Sequence, residues 1–174
     1  LIGLEENVVS KEDQIYVDLS RIGDLAPAGI YDLNKAIVNS SNNYFHMLFR
    51  KLINQKRDNN TFIDSRIGLD RWSEYVKKFG LGSDLDFDIS NISSGFVPSS
   101  EYYDGFYGKG RWKFSNIYSL SIGQVTPIQM ANFASIIANR GYYYNPNIVT
   151  HINGKKISNN QRKYLDIDLS LIHI

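Results

Sequence analysis

The sequence predicts an α+β fold in which helices outnumber strands, and three observations support this prediction. Apolar residues recur at helical spacing through residues 33–53. A second helix begins with a Thr-Pro-x-Gln pattern at Thr126 and ends near Gly141. Aromatic and β-branched residues follow, and Asn153-Gly154 is a dipeptide typical of a tight turn between two strands.

Composition limits the possible functions. The 174 residues are 43% hydrophobic and 21% charged, which is ordinary for one globular domain with a buried core. The formal net charge is +1 and the basic residues are scattered, so nothing indicates a nucleic-acid interface. There is no cysteine, and the histidines lack metal-ligand spacing, so we expect neither a metal nor a cofactor.

The first part of the chain is predicted to be a short helix, a loop and a pair of helices. Residues 1–8 are interpreted as the end of a helix, and residues 9–31 as a turn-rich loop with short strands. Five polar residues at positions 39–43 interrupt the helical pattern of residues 33–53, because such side chains compete for backbone hydrogen bonds and cap helices. This run is therefore predicted to be a helix–turn–helix junction.

The middle of the chain is predicted to contain a loop, one helix and a long irregular segment. Residues 54–62 are polar and are predicted to be a loop. Asp70 is a candidate N-cap for a helix that ends at Gly80. Residues 81–113 are rich in glycine, serine, aspartate and tyrosine, and we expect them to be irregular.

The last predicted helix has the clearest start signal. Thr126 fits the N-cap, Pro127 the first position and Gln129 the third, which completes a capping box. Helical spacing predicts one apolar face, formed by Met130, Phe133, Ala134, Ile137 and Ala138. A strand within residues 142–150 and a hairpin that turns at Asn153-Gly154 should follow.

Local patterns alone identify few candidates for catalysis. No Gly-x-Ser-x-Gly turn accompanies the histidines, and His46 is expected to be a surface or core-edge residue rather than a base. Three alternating carboxylates within residues 84–88 are expected to form a solvated loop or strand edge. On local grounds, the run Ser40-Ser41-Asn42 would be a set of capping residues.

The neighbourhood of this run changes its interpretation. Ser40-Ser41-Asn42, followed by Tyr44-Phe45, resembles the Ser-x-Asn motif that links two helices in the penicillin-binding transpeptidases. Together with three further stretches in the family's order, the resemblance covers nearly all of residues 1–152 and is greatest to the elongation-type class B members. These stretches are residues 1–9, residues 79–88, and residues 119–141 with their Ser-Ile-Gly-Gln and Thr-Pro-Ile-Gln sequences.

The resemblance implies the serine β-lactamase/D,D-peptidase fold, an α/β/α arrangement of which this chain would hold mostly the helical part. It implies that a serine attacks the penultimate D-Ala carbonyl of a peptidoglycan stem peptide. An amine on a neighbouring peptidoglycan strand then takes the acyl group. β-lactams would acylate the same serine. Ser40 would pass protons near a general-base lysine, and Asn42 would hydrogen-bond the substrate, roles that suit a hydroxyl and a neutral amide.

Two of the family's three motifs are absent from the 174 residues, which contain no Ser-x-x-Lys and no Lys-Thr-Gly. We therefore expect a partial transpeptidase domain over residues 1–168 that lacks its nucleophile and is inactive alone. An apolar tail of doubtful origin is expected at residues 169–174. The loop at residues 123–126 is shorter than in the family, so no role is carried over to it.

The resemblance also implies partners and a location. The partners would be peptidoglycan stem peptides, β-lactam antibiotics and cell-elongation proteins of the inner membrane, with no nucleic acid. The protein would act at the periplasmic face of the bacterial inner membrane, anchored by an N-terminal helix outside these residues. Two alternatives remain open: a catalytically inactive helical module that binds partners through the aromatic residues of positions 102–107, and a β-lactam-sensing or β-lactam-hydrolysing relative.

Overall fold

The computed structural model describes residues 1–18, 22–88, 90–117, 123–157, 161–165 and 167. The chain divides into two compact units, the first formed by residues 1–72 and 100–121 and the second by residues 73–99 and 122–174. Among the described residues, no helix combines the length and hydrophobicity needed to cross a bilayer. The predicted tail at residues 169–174 lies outside the described residues.

The first unit is mostly helical. Its elements in chain order are α1 (Ile2–Glu5), β1 (Ile15–Val17), β2 (Gly29–Tyr31), α2 (Leu33–Val38), α3 (Asn42–Ile53), most of α4 (Thr61–Lys78), α5 (Ser100–Tyr107) and α6 (Phe114–Ile117). Strands β1 and β2 pair antiparallel, with Ile15 opposite Tyr31. Helices α2 and α3 flank residues 39–41, which confirms the predicted helix–turn–helix junction.

Two groups of buried side chains stabilise this unit. The first group packs the small sheet against α2 and α3, and its buried members are Ile15, Val17, Ala26, Tyr31, Ala36 and Tyr44. In the second group, Phe49 of α3 meets Trp72 of α4 edge to face, with the ring centroids 5.3 Å apart. Each large apolar side chain that is fully buried contributes about 1.5–3 kcal/mol, so both groups stabilise the unit.

Helices α3 and α4 approach closely where α3 ends. Gly68 of α4 makes this possible, because a Cβ at that position would lie 2.0 Å from the Ile53 carbonyl oxygen. The same oxygen accepts a hydrogen bond from the Arg57 guanidinium at 3.2 Å, which satisfies a carbonyl left open by the end of α3. Glu6, which follows α1, forms ion pairs with Arg57 at 3.5 Å and with Arg71 of α4.

Helix α4 begins earlier than predicted. It starts at Thr61, so Asp70 lies inside the helix and is not its N-cap. The Asp70 carboxylate instead accepts hydrogen bonds from the Ser100 amide at 2.7 Å and the Ser100 hydroxyl at 2.6 Å. The prediction of an irregular segment over residues 81–113 is therefore wrong at α5, because the carboxylate that anchors this helix comes from a residue 30 positions away.

The second unit combines the end of α4 with one helix and short strands. These elements are α7 (Pro127–Ala138), β3 (Tyr142–Tyr143), β4 (His151–Ile152), β5 (Lys155–Lys156) and β6 (Lys163–Tyr164). Strand β3 pairs with β6 and β4 pairs with β5, both antiparallel. The β4–β5 hairpin turns at Asn153 and Gly154, both with positive φ, as predicted. The predicted strand ends at Tyr143, so its extension to residue 150 is wrong.

Helix α7 has the predicted capping box, but its predicted apolar face is only partly buried. The Thr126 hydroxyl accepts a hydrogen bond from the Gln129 amide, and the Gln129 side chain accepts one from the Thr126 amide. The buried residues of α7 are Gln129, Asn132 and Ile136, whereas Met130 is 48% exposed. Two polar side chains are buried on α7 instead, and that of Gln129 donates to the backbone carbonyls of Ser83 and Ser94. Of the predicted apolar face, Phe133 packs against Phe79, with the ring centroids 5.4 Å apart.

Candidate active site

The polar junction turns through a residue with an unfavourable backbone conformation. Ser40 is left-handed, with a φ of +50°. Its amide donates to the Ile37 carbonyl at 3.1 Å, and the Ser41 amide donates to the Ala36 carbonyl at 3.0 Å. These bonds form a Schellman motif that ends α2, in which glycine is the usual residue at the Ser40 position. A residue with a Cβ in this conformation costs about 1 kcal/mol relative to glycine.

Ser41 begins α3 and is fully buried, with 0% of its surface exposed. Its hydroxyl accepts a hydrogen bond from the Tyr44 amide at 3.3 Å and donates one to the Asp24 carboxylate at 3.0 Å. Its neighbours Ser40 and Asn42 are both exposed. The turn therefore presents to solvent the two residues that the sequence predicts for the site, with a buried serine between them.

Residues 22–26 are hydrogen-bonded to the start of α3. The Asn43 side chain binds both backbone groups of Ile22, accepting from the amide at 3.3 Å and donating to the carbonyl at 3.0 Å. The Asn42 side chain donates to the Gly23 carbonyl at 3.2 Å. These contacts hold the start of α3, on the C-terminal side of the turn, against a loop that lies before α2 in the sequence.

Asp24 accepts more hydrogen bonds at the junction than any other side chain described there. Its carboxylate accepts from the Ser41 hydroxyl at 3.0 Å, and from the backbone amide of Asn43 at 2.8 Å and its side chain at 3.3 Å. The Ala26 amide donates to its other oxygen at 3.0 Å. Desolvation acts to raise the pKa of Asp24, but these donors outweigh it and the pKa lies below the ordinary aspartate value. Asp24 is therefore a carboxylate anion at neutral pH.

Sequence reasoning missed both Asp24 and Asn43. The one local signal is the turn at Asp24, where the side chain accepts a hydrogen bond from the amide two residues later. Its partners Ser41 and Asn43 are 17 and 19 positions away, and no helical or strand periodicity relates them. Only the folded chain brings these groups together.

The other candidate residues, His46 and the carboxylates of residues 84–88, have packing or hydrogen-bonding roles in the structure. His46 is 9% exposed within α3, in agreement with the expected core-edge position. In the segment of alternating carboxylates, Asp88 accepts hydrogen bonds from the Ile148 amide at 2.9 Å and the Val149 amide at 2.7 Å. Within the part of the chain that the structure describes, no group of three or more His, Cys, Asp or Glu residues could hold a metal ion.

The Ser-Ile-Gly-Gln sequence is described only in part, because residues 118–122 lie outside the described residues. Gly123 has a φ of +70°, and a Cβ there would lie 2.2 Å from the Phe96 carbonyl oxygen. The Gln124 backbone exchanges two hydrogen bonds with Phe96, at 2.6 and 2.7 Å. This short loop is thus fixed against the segment that precedes α5, and glycine is required where the two backbones meet.

Known proteins resemble this chain over most of its length. The family model described as the penicillin binding protein transpeptidase domain matches residues 1–173. Peptidoglycan D,D-transpeptidase MrdA of Haemophilus influenzae is 30% identical over 130 residues, which are 72% of this chain and 18% of that protein. MrdA of Acinetobacter baumannii is 28% identical over 132 residues, which are 74% of this chain and 17% of that protein. The chain therefore spans less than a fifth of these relatives.

Solved structures agree with the family match. PBP2 of Pseudomonas aeruginosa aligns with a TM-score of 0.73 and 24% identity, covering 98% of this chain and 39% of that one. Penicillin-binding protein 2B of Streptococcus pneumoniae aligns with a TM-score of 0.68 and 22% identity, covering 99% of this chain and 31% of that one. These similarities confirm the predicted serine β-lactamase/D,D-peptidase fold. With the match over residues 1–173, they lead to one conclusion: the chain belongs to the penicillin-binding protein transpeptidase family.

Proposed function

We propose that this chain is part of a class B penicillin-binding protein, a peptidoglycan D,D-transpeptidase, and that the turn between α2 and α3 lines its acyl-transfer site. The observation that carries the proposal is the left-handed, exposed Ser40. Glycine would relieve the strain of this turn, yet the position holds a residue with a hydroxyl group. Residues held in such sparsely populated conformations are concentrated at functional sites.

In the proposed reaction, a serine hydroxyl attacks the penultimate D-Ala carbonyl of a stem peptide and forms an ester. The terminal D-Ala leaves as a free amine after it takes a proton. An amine of a neighbouring stem peptide then attacks the ester carbon, a new amide forms, and the serine regains its proton. None of the serines in the 174 residues has a lysine three positions later, so the nucleophile is proposed to come from outside them.

The proposed roles of Ser40 and Asn42 follow from their chemistry. A hydroxyl can accept and donate a proton, so Ser40 is suited to relay protons between the nucleophile and the leaving group. The Asn42 amide carries two hydrogens, and its bond to the Gly23 carbonyl uses one. The other can orient a carbonyl oxygen of the substrate backbone without adding charge.

The proposed substrates are peptidoglycan stem peptides, and β-lactams are proposed to acylate the same serine. The names of the relatives support this, since both MrdA proteins are peptidoglycan D,D-transpeptidases. A peptidoglycan synthase complex that couples polymerization and crosslinking aligns with a TM-score of 0.72 and 17% identity. It supports the further proposal that the protein works with other proteins of peptidoglycan synthesis. That these are cell-elongation proteins at the extracytoplasmic face of the inner membrane is proposed from the family resemblance alone.

A fluorescent penicillin tests the proposal directly. The full-length protein that carries this segment should become covalently labelled with one equivalent of the β-lactam. The 174-residue chain alone should remain unlabelled, because it contains no Ser-x-x-Lys serine. Gel fluorescence and mass spectrometry of the two proteins report the outcome. Absence of labelling in the full-length protein would contradict the proposal, and labelling of the isolated chain would contradict the assignment of the nucleophile.

Two substitutions at Ser40 separate its chemical role from its backbone strain. In the full-length protein, Ser40→Ala and Ser40→Gly should both slow acylation by about 10²-fold or more, since both remove the relay hydroxyl. Ser40→Gly should at the same time raise the free energy of unfolding by about 1 kcal/mol, because it removes the left-handed Cβ. Acylation rates are measured with the fluorescent penicillin and stability by urea titration. A Ser40→Gly variant that is more stable and acylates normally would refute the role of the hydroxyl.

The two alternative functions predict other results in the same assay. A catalytically inactive binding module would not be labelled at all. A β-lactam-hydrolysing relative would be labelled only transiently, because the acyl-enzyme would turn over. A β-lactam-sensing relative would keep the label but would release no D-Ala from a pentapeptide. The proposed transpeptidase should keep its label for many minutes and should release D-Ala from a pentapeptide substrate.

A further inference from the structure

We propose that Asp24 is a positioning residue for this site, whose carboxylate fixes the α2–α3 turn by binding the Ser41 hydroxyl and the Asn43 amide. The inference rests on the proposed function, because it concerns how Ser40 and Asn42 are held for acyl transfer. Asp24 lies in the loop between β1 and β2, and neither its position nor its residue type predicts a role in catalysis.

The hydrogen bonds of Ser41 show how Asp24 acts on the turn. The single hydroxyl proton of Ser41 is donated to Asp24, which leaves its oxygen lone pairs to accept from the Tyr44 amide. Asp24 therefore determines the orientation of the Ser41 side chain, and the same carboxylate oxygen accepts from the Asn43 amide. One acceptor therefore binds the side chain of Ser41 and the backbone of Asn43, the residues on either side of Asn42.

The left-handed conformation of Ser40 is strained, so it needs contacts such as those of Asp24 to be stable. A left-handed residue with a Cβ persists only where its surroundings determine the conformation more strongly than the residue itself does. The backbone bonds that end α2 supply part of that constraint. The buried Ser41, held by Asp24, supplies the rest from the other side of the turn.

A purely stabilising role is the alternative, since a carboxylate at a helix N-terminus stabilises the helix wherever it occurs. The two roles differ in what they predict for the reaction. A stabilising residue changes the folded fraction and leaves the rate of the folded protein unchanged. A positioning residue changes the rate of the folded protein, because a displacement of about 1 Å can cost about 10²-fold in rate.

The test measures acylation of the full-length protein by a fluorescent penicillin at saturating concentration, at a temperature where each variant is folded. Asp24→Asn should lower the acylation rate about tenfold or more, and Ser41→Ala should lower it by a similar factor. The acylation rate of the double variant should lie within about threefold of that of the slower single variant. The two effects should not multiply, because both substitutions remove the same hydrogen bond between Asp24 and Ser41. If Asp24→Asn does not fold, Asp24→Glu, which keeps the charge but displaces it, serves in its place.

Asp104→Asn is the matched control. Asp104 is another carboxylate of the same unit, which binds the Trp112 indole at 2.8 Å and Arg66, and it lies on α5 rather than at the junction. Its loss should lower the melting temperature and leave the acylation rate within about twofold of the unchanged protein. An Asp24→Asn rate no lower than the Asp104→Asn rate would overturn the inference, as would rate losses that multiply in the double variant. If the unchanged full-length protein is not acylated, the proposed function fails and this inference fails with it.

Discussion

Gly68→Ala should lower the free energy of unfolding of the 174-residue chain by about 3 kcal/mol. The new methyl group would lie 2.0 Å from the carbonyl oxygen of Ile53 and 2.7 Å from its carbonyl carbon. Both atoms are backbone, so no side-chain rotation can relieve the overlap. Helix α4 must move away from the end of α3, which also disturbs the contact between Arg57 and the Ile53 oxygen.

Gly105→Ala is the control for this substitution. Gly105 also lies inside a helix, α5, but a Cβ there would meet nothing within 4 Å. Alanine loses less backbone entropy on folding than glycine, so this variant should be more stable by about 0.5–1 kcal/mol. Urea titrations followed by far-ultraviolet circular dichroism measure both changes. Two variants of equal stability would contradict the close approach of α3 and α4.

Gln129→Glu should destabilise the chain by about 3 kcal/mol or more at pH 7. The Gln129 side chain is 1% exposed, and its amide nitrogen donates to the Ser83 carbonyl at 2.8 Å and the Ser94 carbonyl at 2.7 Å. In a glutamate of the same shape, a carboxylate oxygen would replace the amide nitrogen and would face the carbonyl oxygens of Ser83 and Ser94. Two hydrogen bonds would be lost and an unpaired charge would be buried.

The loss of stability caused by Gln129→Glu should increase as the pH rises. Burial beside two carbonyls raises the pKa of the introduced carboxyl group in the folded state above its unfolded value of about 4.3. The folded state then binds more protons than the unfolded state, so stability falls as the pH rises. Relative to the unchanged chain, the Gln129→Glu variant should be least destabilised at about pH 4 and should lose stability progressively up to the raised pKa.

Two further variants isolate the cause. Gln129→Met removes the same hydrogen bonds without adding a charge, so it should lower the free energy of unfolding by about 2–3 kcal/mol. This loss should be the same at about pH 4 and at about pH 7. Gln124→Glu adds a carboxylate at an exposed position of the same unit and should change stability by less than about 0.5 kcal/mol. Urea titrations of all three at several pH values give the comparison. A Gln129→Glu loss that is the same at every pH would show that the buried charge is not its cause.

Features that depend on neighbouring residues were predicted correctly from the sequence. The capping box at Thr126 and Gln129 and the Asn153-Gly154 hairpin are examples, since the hydrogen bonds that define each motif join residues a few positions apart. The junction at residues 39–41 belongs to the same class, because short polar side chains end one helix and begin the next. The family resemblance added what these patterns cannot show, namely which of the polar residues belong to a catalytic motif.

Features that depend on distant partners were missed or predicted wrongly. The sequence offers Asp70 as a candidate N-cap of its own helix, but Asp70 binds Ser100, a contact that the sequence does not predict and that anchors α5. Helical spacing predicts an apolar face on α7, but it does not predict that Gln129 is buried with its side chain bonded to the carbonyls of Ser83 and Ser94. In each case a polar side chain found its partner 30 or more positions away, where spacing along the chain carries no information.

Residue patterns and the family resemblance were enough to predict the helices around the junction, the family, and Ser40 and Asn42 as the candidate site residues. The folded chain adds that Ser40 is left-handed, that Ser41 is buried between two exposed residues, and that Asp24 accepts hydrogen bonds from Ser41 and Asn43. The physical reason is that helix caps and turns are decided by hydrogen bonds within a few residues. The conformation of a strained turn is decided by every group that packs against it, and those groups meet only when the chain folds.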